Sequence, residues 1–449
     1  GQGVCRKTTG VMCPSFQATR EEANSTRGRA NLLRGLMSLR AGSKAISDLK
    51  SGLLRGEEFP PRNDIIEATF QALDLCLACK GCTSECPSGV DMPKLKYEFM
   101  NQYYKSHRRP LRDYLFGYFH IAARLLSPIA PLANFFMQRH WSRNAIASAL
   151  GIARQRQFPK ITRRSRFKRD VVSGESVILL SDVFSHYIEP EVEEAAIAIL
   201  NRLGYEVKVL PVIGAGASLL SKGFLDAARS HAGKVLGEIH RLDGGAGLSV
   251  VGCEPPEVYC LKHEYRALLP NRSEEIESLT RRVWLVDEFI LRVVNTGKLE
   301  SVRLSFEEKK KHITYHPHCH QRAEAPAEDG LPTGVAATVE MLNFFGYDAS
   351  VIDAGCCGMA GTFGFDAEHY ELSMQVGELG VLPKIREKGM GNSELVSSGA
   401  ACRMQGDIIF LWLLNLSRSG KLCSTVGNIL LCLFCSLRSH SSFLLIPSY

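Results

Sequence analysis

Four cysteines spaced Cys76-x-x-Cys79-x-x-Cys82-x-x-x-Cys86, the last followed by Pro87, constrain this chain more than any other feature. Three thiolates on one tight turn reach the corners of an iron–sulfur cube, and a fourth cysteine before proline is directed to a different cluster. Gly81 lets the loop backbone wrap around inorganic sulfide and offer it N–H groups. Zinc knuckles instead separate two pairs of ligands by a longer loop. Cys76, Cys79 and Cys82 then need a fourth ligand from elsewhere, and Cys13-Pro14 repeats the Cys-Pro ending of the motif. Cys86 would serve a second cluster with Cys5, which is short of ligands because only Cys5 and Cys13 precede the first helix. One [4Fe–4S] cluster follows from the motif, and a second is open.

The chain has 15 cysteines, an odd number, and six fall before residue 90. Clustering of this kind in a long chain reads as metal thiolates in a reducing compartment rather than a secreted disulfide framework. The expected localisation is cytoplasmic. Gly1 to Arg29 has no apolar core of signal-peptide length, and the absent initiating Met leaves open a start inside a longer polypeptide. The charge sum, 54 − 47 = +7, is mildly basic, and much of the excess sits in Arg163, Arg164, Arg166, Lys168 and Arg169. Neither aromatics nor a helix are organised around that run, so it reads as a solvated linker, not a nucleic-acid site. Leu115 to Met137 is apolar, but His120, Arg124, Pro128 and Pro131 interrupt it. Two shorter helices, packed on the protein or lying against a partner, are expected there, with at most peripheral association at the inner face of a membrane.

A length of 449 residues suggests two to four domains. Residues 1–107 form a helical unit around the first cysteine group, with Leu32, Leu33, Leu36 and Leu39 on one helix face. Residues 108–170 read as a helical, then basic, connector. From Glu175 short β-branched runs alternate with helices, which argues for an α/β layer with a parallel sheet. The pattern recurs at an offset of 142: Leu200-Asn201-x-x-Gly204-Tyr205 matches Leu342-Asn343-x-x-Gly346-Tyr347, and Gly214-Ala215-Gly216 falls on Cys356-Cys357-Gly358. Two tandem α/β domains, 171–300 and 301–407, are expected, the first a degenerate partner of the second. Residues 408–449 lack acidic residues and any sustained period, and read as a foreign tail without assigned function.

The second constellation is His316-Pro317-His318-Cys319-His320, Cys356-Cys357 and Cys402. Strand-end loops at the carboxyl edge of an α/β sheet are where ligands bind. Four thiolates there, Cys319, Cys356, Cys357 and Cys402, suffice for a cluster or a zinc ion. The three histidines are expected to alternate along a strand end, His318 facing away from the other two, and to act in hydrogen bonds rather than as ligands. Cys253 and Cys260 belong to the degenerate copy and read as buried or free cysteines. Gly214-x-Gly216 lacks the third glycine and acidic residue of a nucleotide fingerprint. No Ser/His/Asp arrangement stands out.

The run Cys5 to Ser15, Ser25 to Ala30 and the Cys76-to-Pro87 motif resemble the iron–sulfur half of the FAD-linked D-2-hydroxyacid dehydrogenases of the D-lactate, D-2-hydroxyglutarate and glycolate oxidase type. The iron–sulfur subunit of anaerobic glycerol-3-phosphate dehydrogenase and the CCG-domain subunits of heterodisulfide reductase are related. Residues around Cys356-Cys357-Gly358 resemble the cysteine-rich CCG domain of those enzymes, whose pattern ends in Cys-x-x-Cys where this chain has Cys402-Arg403-Met404-Gln405. The resemblance implies an α+β multidomain chain, a helical ferredoxin-like 4Fe–4S domain followed by two tandem CCG-type α/β domains. It also implies electron transfer from a flavin domain that this chain lacks to a quinone or another acceptor. No complete active site is expected on this chain alone. Two rivals remain: a heterodisulfide-type reductase with thiol chemistry at Cys356-Cys357, and a zinc-stabilised scaffold without enzymatic activity.

Overall fold

The computed structural model describes residues 3–8, 10–40, 62–163, 174–296, 311–388 and 394–405. The basic run from Arg164 to Arg169 and the tail 408–449 lie outside them.

The first cysteine group sits among short helices, Pro14–Thr19, Thr26–Arg40, Arg62–Asp74, Gly81–Glu85 and Met92–Tyr103. Pro14 opens its helix at the position where a missing N–H costs nothing. Asp91 caps Met92–Tyr103 by accepting from the Lys94 N–H at 3.2 Å. Phe16, Leu73, Met92 and Met100 fill the middle of this unit together with the sulfurs of Cys5, Cys13, Cys76 and Cys82. Arg29, fully buried, laces the helices: its Nε donates to the Ala72 carbonyl at 2.6 Å and its guanidinium to Ser15 Oγ at 2.8 Å.

Two parallel sheets follow. β1 (Glu175–Leu180), β2 (Tyr205–Val209), β3 (Val250–Gly252) and β4 (Val283–Leu285) lie in the order β2-β1-β3-β4. β5 (Lys311–His316), β6 (Tyr347–Val351) and β7 (Glu394–Ser397) lie in the order β6-β5-β7. Val177 to Leu180 are apolar and buried, as a strand covered on both faces requires. β4 is a strand the sequence reading did not find.

The internal repeat is present in the backbone. β1 and β2 flank the helix Pro190–Arg202, and β5 and β6 flank Gly334–Phe344. Gly204 and Gly346 make the same left-handed turn, φ 86° and 83°, before β2 and β6. Gly216 and Gly358 repeat it at φ 97° and 89° in the loops after those strands. The sheets share one core, in which Val177, Val251, Phe289 and Ile290 meet Tyr315, Met341, Leu342 and Val396.

Between the two regions run the helices Leu111–Gly117, Phe119–Leu126, Ala130–Gln138 and His140–Leu150. Among the described residues no single helix is long and apolar enough to cross a membrane, and Leu111–Gly117 and Phe119–Gln138 meet at a 78° bend.

Candidate metal centres

The first centre is built from two segments that the fold pins together. Glu85, at the end of the Gly81–Glu85 helix, accepts from the Val11 N–H at 2.8 Å and the Met12 N–H at 3.3 Å. This places Cys13, in a left-handed conformation at φ 54°, beside the loop of Cys76 to Cys82. Gly81 packs on the Val11 backbone: a Cβ there would lie 3.1 Å from the Val11 carbonyl, so glycine keeps the two segments in contact. Ala78 and Lys80 also take positive φ, 51° and 61°, which curls the loop inward. Cys13, Cys76, Cys79 and Cys82 line one small cavity with Thr26, Arg29 and Met92.

Hydrogen bonds already point at these sulfurs. Thr26 approaches Cys13 Sγ with its N–H at 3.1 Å and its hydroxyl at 2.9 Å. Gly81 N–H reaches Cys79, and Met92 N–H reaches Cys82. Each donor favours a charged sulfur. Without a metal, burial wins: it pushes the Cys13 thiol up to about 11 and Cys82 to about 12, and Cys79 rises with them. A metal must therefore displace protons on binding. Among the described residues no three of these sulfurs come within 4.8 Å of one another. That spread suits a multi-iron cube rather than a single ion. Cys5 is buried and Cys86 half-buried in the same core, outside the cavity.

The cysteine loop is clamped from both α/β regions. Lys80, almost fully buried, pairs with Asp91 at 2.9 Å and with Glu264, which lies in a π-turn, Cys260–Glu264, of the first region. Burial alone would lower the Lys80 pKa, but Tyr97, Glu264 and Asp91 outweigh it and hold the ammonium charged. Lys96 donates to the carbonyls of Asp74 and Cys76 at 3.1 and 2.7 Å. From the second α/β region His320 Nε2 bonds the Ala78 carbonyl at 3.2 Å, and His369 Nε2 meets Asp74 at 2.8 Å.

The second centre lies at the carboxyl edge of β5, β6 and β7. His316 ends β5, and Cys319 follows it. Cys356 and Cys357 lie in the loop after β6, and Cys402 in the helix Ala400–Gln405 after β7. All five side chains are buried. Cys357 Sγ and Cys402 Sγ are 3.5 Å apart, and with a ring nitrogen of His316 they form a set whose ligand atoms all lie within 4.8 Å. Cys356 interacts with both Cys319 and Cys357. Interactions with Cys356 and then Cys402 outweigh burial and bring the Cys357 thiol well below its usual range. Cys319 faces Cys79 across a shared apolar contact with Leu77 and Phe363, so the two centres adjoin. A larger cavity beside them is lined by Cys79, Cys319, Cys357, Cys402, Glu254 and Glu257.

The histidines differ from the sequence expectation. Pro317 ends the strand and the chain turns helical at Cys319–Arg322, so no alternation survives. His318 Nδ1 accepts the His320 N–H at 3.1 Å, and the two rings pack edge to face at 5.1 Å. His316 stands apart from them. It is 3% exposed and neither ring nitrogen makes a hydrogen bond, so both remain available to a ligand. Only the folded sheet edge, which sets its ring beside two sulfurs, supplies that signal. Cys260 donates to the Ala215 carbonyl at 3.5 Å, and Cys253 is half-buried. Ser181, His186 and Glu193 do meet, but Ser181 and Glu193 both address Nδ1 of His186, at 3.3 and 2.8 Å, so no proton relay runs through the ring.

Residues 3–90 match a protein family described as a 4Fe-4S dicluster domain. The chain is an iron–sulfur protein. Over 90% of its length it is similar to the D-2-hydroxyglutarate dehydrogenase of Pseudomonas putida, 28% identical over 438 residues, and to that of Escherichia coli K12, 26% identical over 439 residues. It spans 41% of the length of each. Over 67% of its length it is also similar to one of the subunits of anaerobic glycerol-3-phosphate dehydrogenase of Escherichia coli K12, 27% identical over 316 residues and covering 74% of that polypeptide. No solved structure matches. The resemblance drawn from the cysteine motifs holds.

Proposed function

We propose that this chain is the iron–sulfur electron-transfer portion of a flavin-dependent D-2-hydroxyacid dehydrogenase. The flavin would sit on a separate domain or partner polypeptide, and a quinone or another carrier would take the electrons. The relatives support the reaction class. One observation carries the electron-transfer role: Cys13 and the Cys76–Cys82 loop, distant in sequence, line one buried cavity whose Cys79 adjoins Cys319 of a second thiol-rich centre.

Cys13, Cys76, Cys79 and Cys82 would hold a [4Fe–4S] cluster, and such a cluster takes up and returns one electron with little change of shape. Around it Thr26, Gly81 and Met92 stabilise sulfur charge, while the Lys80, Lys96 and His320 clamps keep the loop from reorganising. Cys86 and Cys5 offer ligands for a second cluster, as the dicluster match favours. The second centre we read as a single-ion site of His316, Cys357 and Cys402, with Cys319 or Cys356 as the fourth donor; four ligands of nitrogen and sulfur suit tetrahedral zinc or iron.

The 3.5 Å approach of Cys357 to Cys402 supports a second reading, thiol–disulfide chemistry at that pair. Metal analysis of the anaerobically purified chain separates the two. Iron with acid-labile sulfide, a reduced-cluster resonance after dithionite and one further tightly held ion fit the proposal. A metal-free second centre whose two thiols titrate as one disulfide favours thiol chemistry. Zinc alone, without a reduced-cluster resonance, contradicts both.

A further inference from the structure

We propose that the outward face of the segment Phe119–Gln138 docks on an anionic lipid bilayer, lying in the plane of the headgroups. Ile121, Leu125, Ile129, Leu132, Phe135 and Phe136 recur every three or four residues, so they share one helix face. That face is turned outward: all six are exposed, Leu125 at 70% and Leu132 at 57%. The inward face carries Phe119, Leu126 and Met137, which pack on the core, together with small and polar residues. Ala123, Ser127 and Ala130 are buried, Ser127 Oγ donates to the Thr162 carbonyl, and Asn134 bonds both the N–H and the carbonyl of Ile161, at 2.9 and 2.7 Å. These bonds fix the rotation of the segment, so its large apolar side chains cannot turn in. A contiguous apolar face held outward marks an interaction surface.

The charge around it selects the occupant. From Tyr114 to Arg169 the sequence has no acidic residue. Arg124, Arg139, Arg154, Lys160 and Arg163 are exposed and form no ion pair with a described residue. Arg139 lies 4.9 Å above the Phe135 ring, and Trp141, 66% exposed, adjoins the end of the segment. Exposed apolar and aromatic side chains on a stretch that carries cations and no acidic residue match the boundary between acyl chains and anionic headgroups. The 78° bend at Tyr118 and the lack of any single spanning helix among the described residues favour lying on the membrane over crossing it. The inference does not depend on the redox role.

The test is sedimentation of the full chain with vesicles of phosphatidylcholine alone or mixed with phosphatidylglycerol. We expect partitioning at least about ten-fold stronger on the anionic vesicles, weakened several-fold by high salt. The double variant Phe135→Ser/Phe136→Ser, which alters only exposed side chains, should lower it about ten-fold at unchanged melting temperature. Trp141 fluorescence should be quenched by brominated lipid, a signal lost in Trp141→Phe. No binding to either vesicle, equal binding to both, or full binding by the double variant would overturn the proposal. So would a dimer that the double variant dissolves without any vesicle binding, which would assign the face to a second copy of the chain.

Discussion

The loops 214–216 and 356–358 share their place in the repeat and their last turn, and differ in what they hold. Each follows the second strand of its repeat and ends on a left-handed glycine, Gly216 or Gly358. In the first, the N–H groups of Ala215, Gly216 and Ala217 converge on one carboxylate oxygen of Glu257, at 2.6, 3.1 and 3.3 Å. That loop is closed by the protein's own side chain. In the second, two sulfurs occupy the matching positions, and one of them, Cys357, faces Cys402 and an unpaired His316. A duplicated scaffold thus keeps its turn and its place on the sheet edge while one copy satisfies its polar groups internally and the other leaves ligand atoms for a metal.

Four substitutions probe that contrast. Gly358→Ala should cost most. A Cβ at Gly358 would lie 2.0 Å from the Ser373 carbonyl, on top of the left-handed strain, so a loss of about 4 kcal/mol or failure to fold is expected. At Gly216 the nearest atom to the same Cβ belongs to the His231 ring, at 3.3 Å, and a cost of about 1–2 kcal/mol is expected. Equal melting-temperature losses for the two variants would break the comparison.

His316→Gln removes a proposed ligand and should weaken metal retention at the second centre by at least about 100-fold, the upper end of what loss of even an outer-shell partner costs. Competition with a chelator reads this directly, and the reduced-cluster resonance of the first centre should be unchanged. Glu257→Ala should do the reverse, leaving metal content intact while three N–H groups, two of them buried, lose their acceptor. Denaturation should show a loss of about 1–3 kcal/mol.

The smallest effect concerns pH. Burial would lower the pKa of His369, but Asp366 and Asp74 overcome it and raise it above 6.5. A raised folded value means the contribution is complete below pH 6.5 and is lost as pH climbs through the folded pKa. Melting measured from about pH 6 to pH 9 should therefore fall at the upper end, and His369→Gln should flatten that part of the profile.

Much of this was readable from local spacing. The Cys76-to-Cys86 ladder fixes its own loop, and the offset of 142 announces two matching strand–helix–strand units. What spacing cannot carry is orientation across the fold. His316 looks like one of three alternating histidines until Pro317 ends β5 and leaves it alone among sulfurs. Nothing in the spacing shows that Ala215 to Ala217 fold over Glu257 or that Lys80 is buried against Glu264. For Phe119–Gln138 periodicity shows an apolar stripe, not whether the core or the solvent receives it.

Iron and acid-labile sulfide, measured in oxygen-free preparations of the native chain and of Cys79→Ser, test the central claim most directly. The account expects comparable amounts of iron and sulfide with a reduced-cluster resonance in the native chain, and their loss or marked change in the variant. A folded, colourless chain without iron, indifferent to Cys79→Ser, would contradict it.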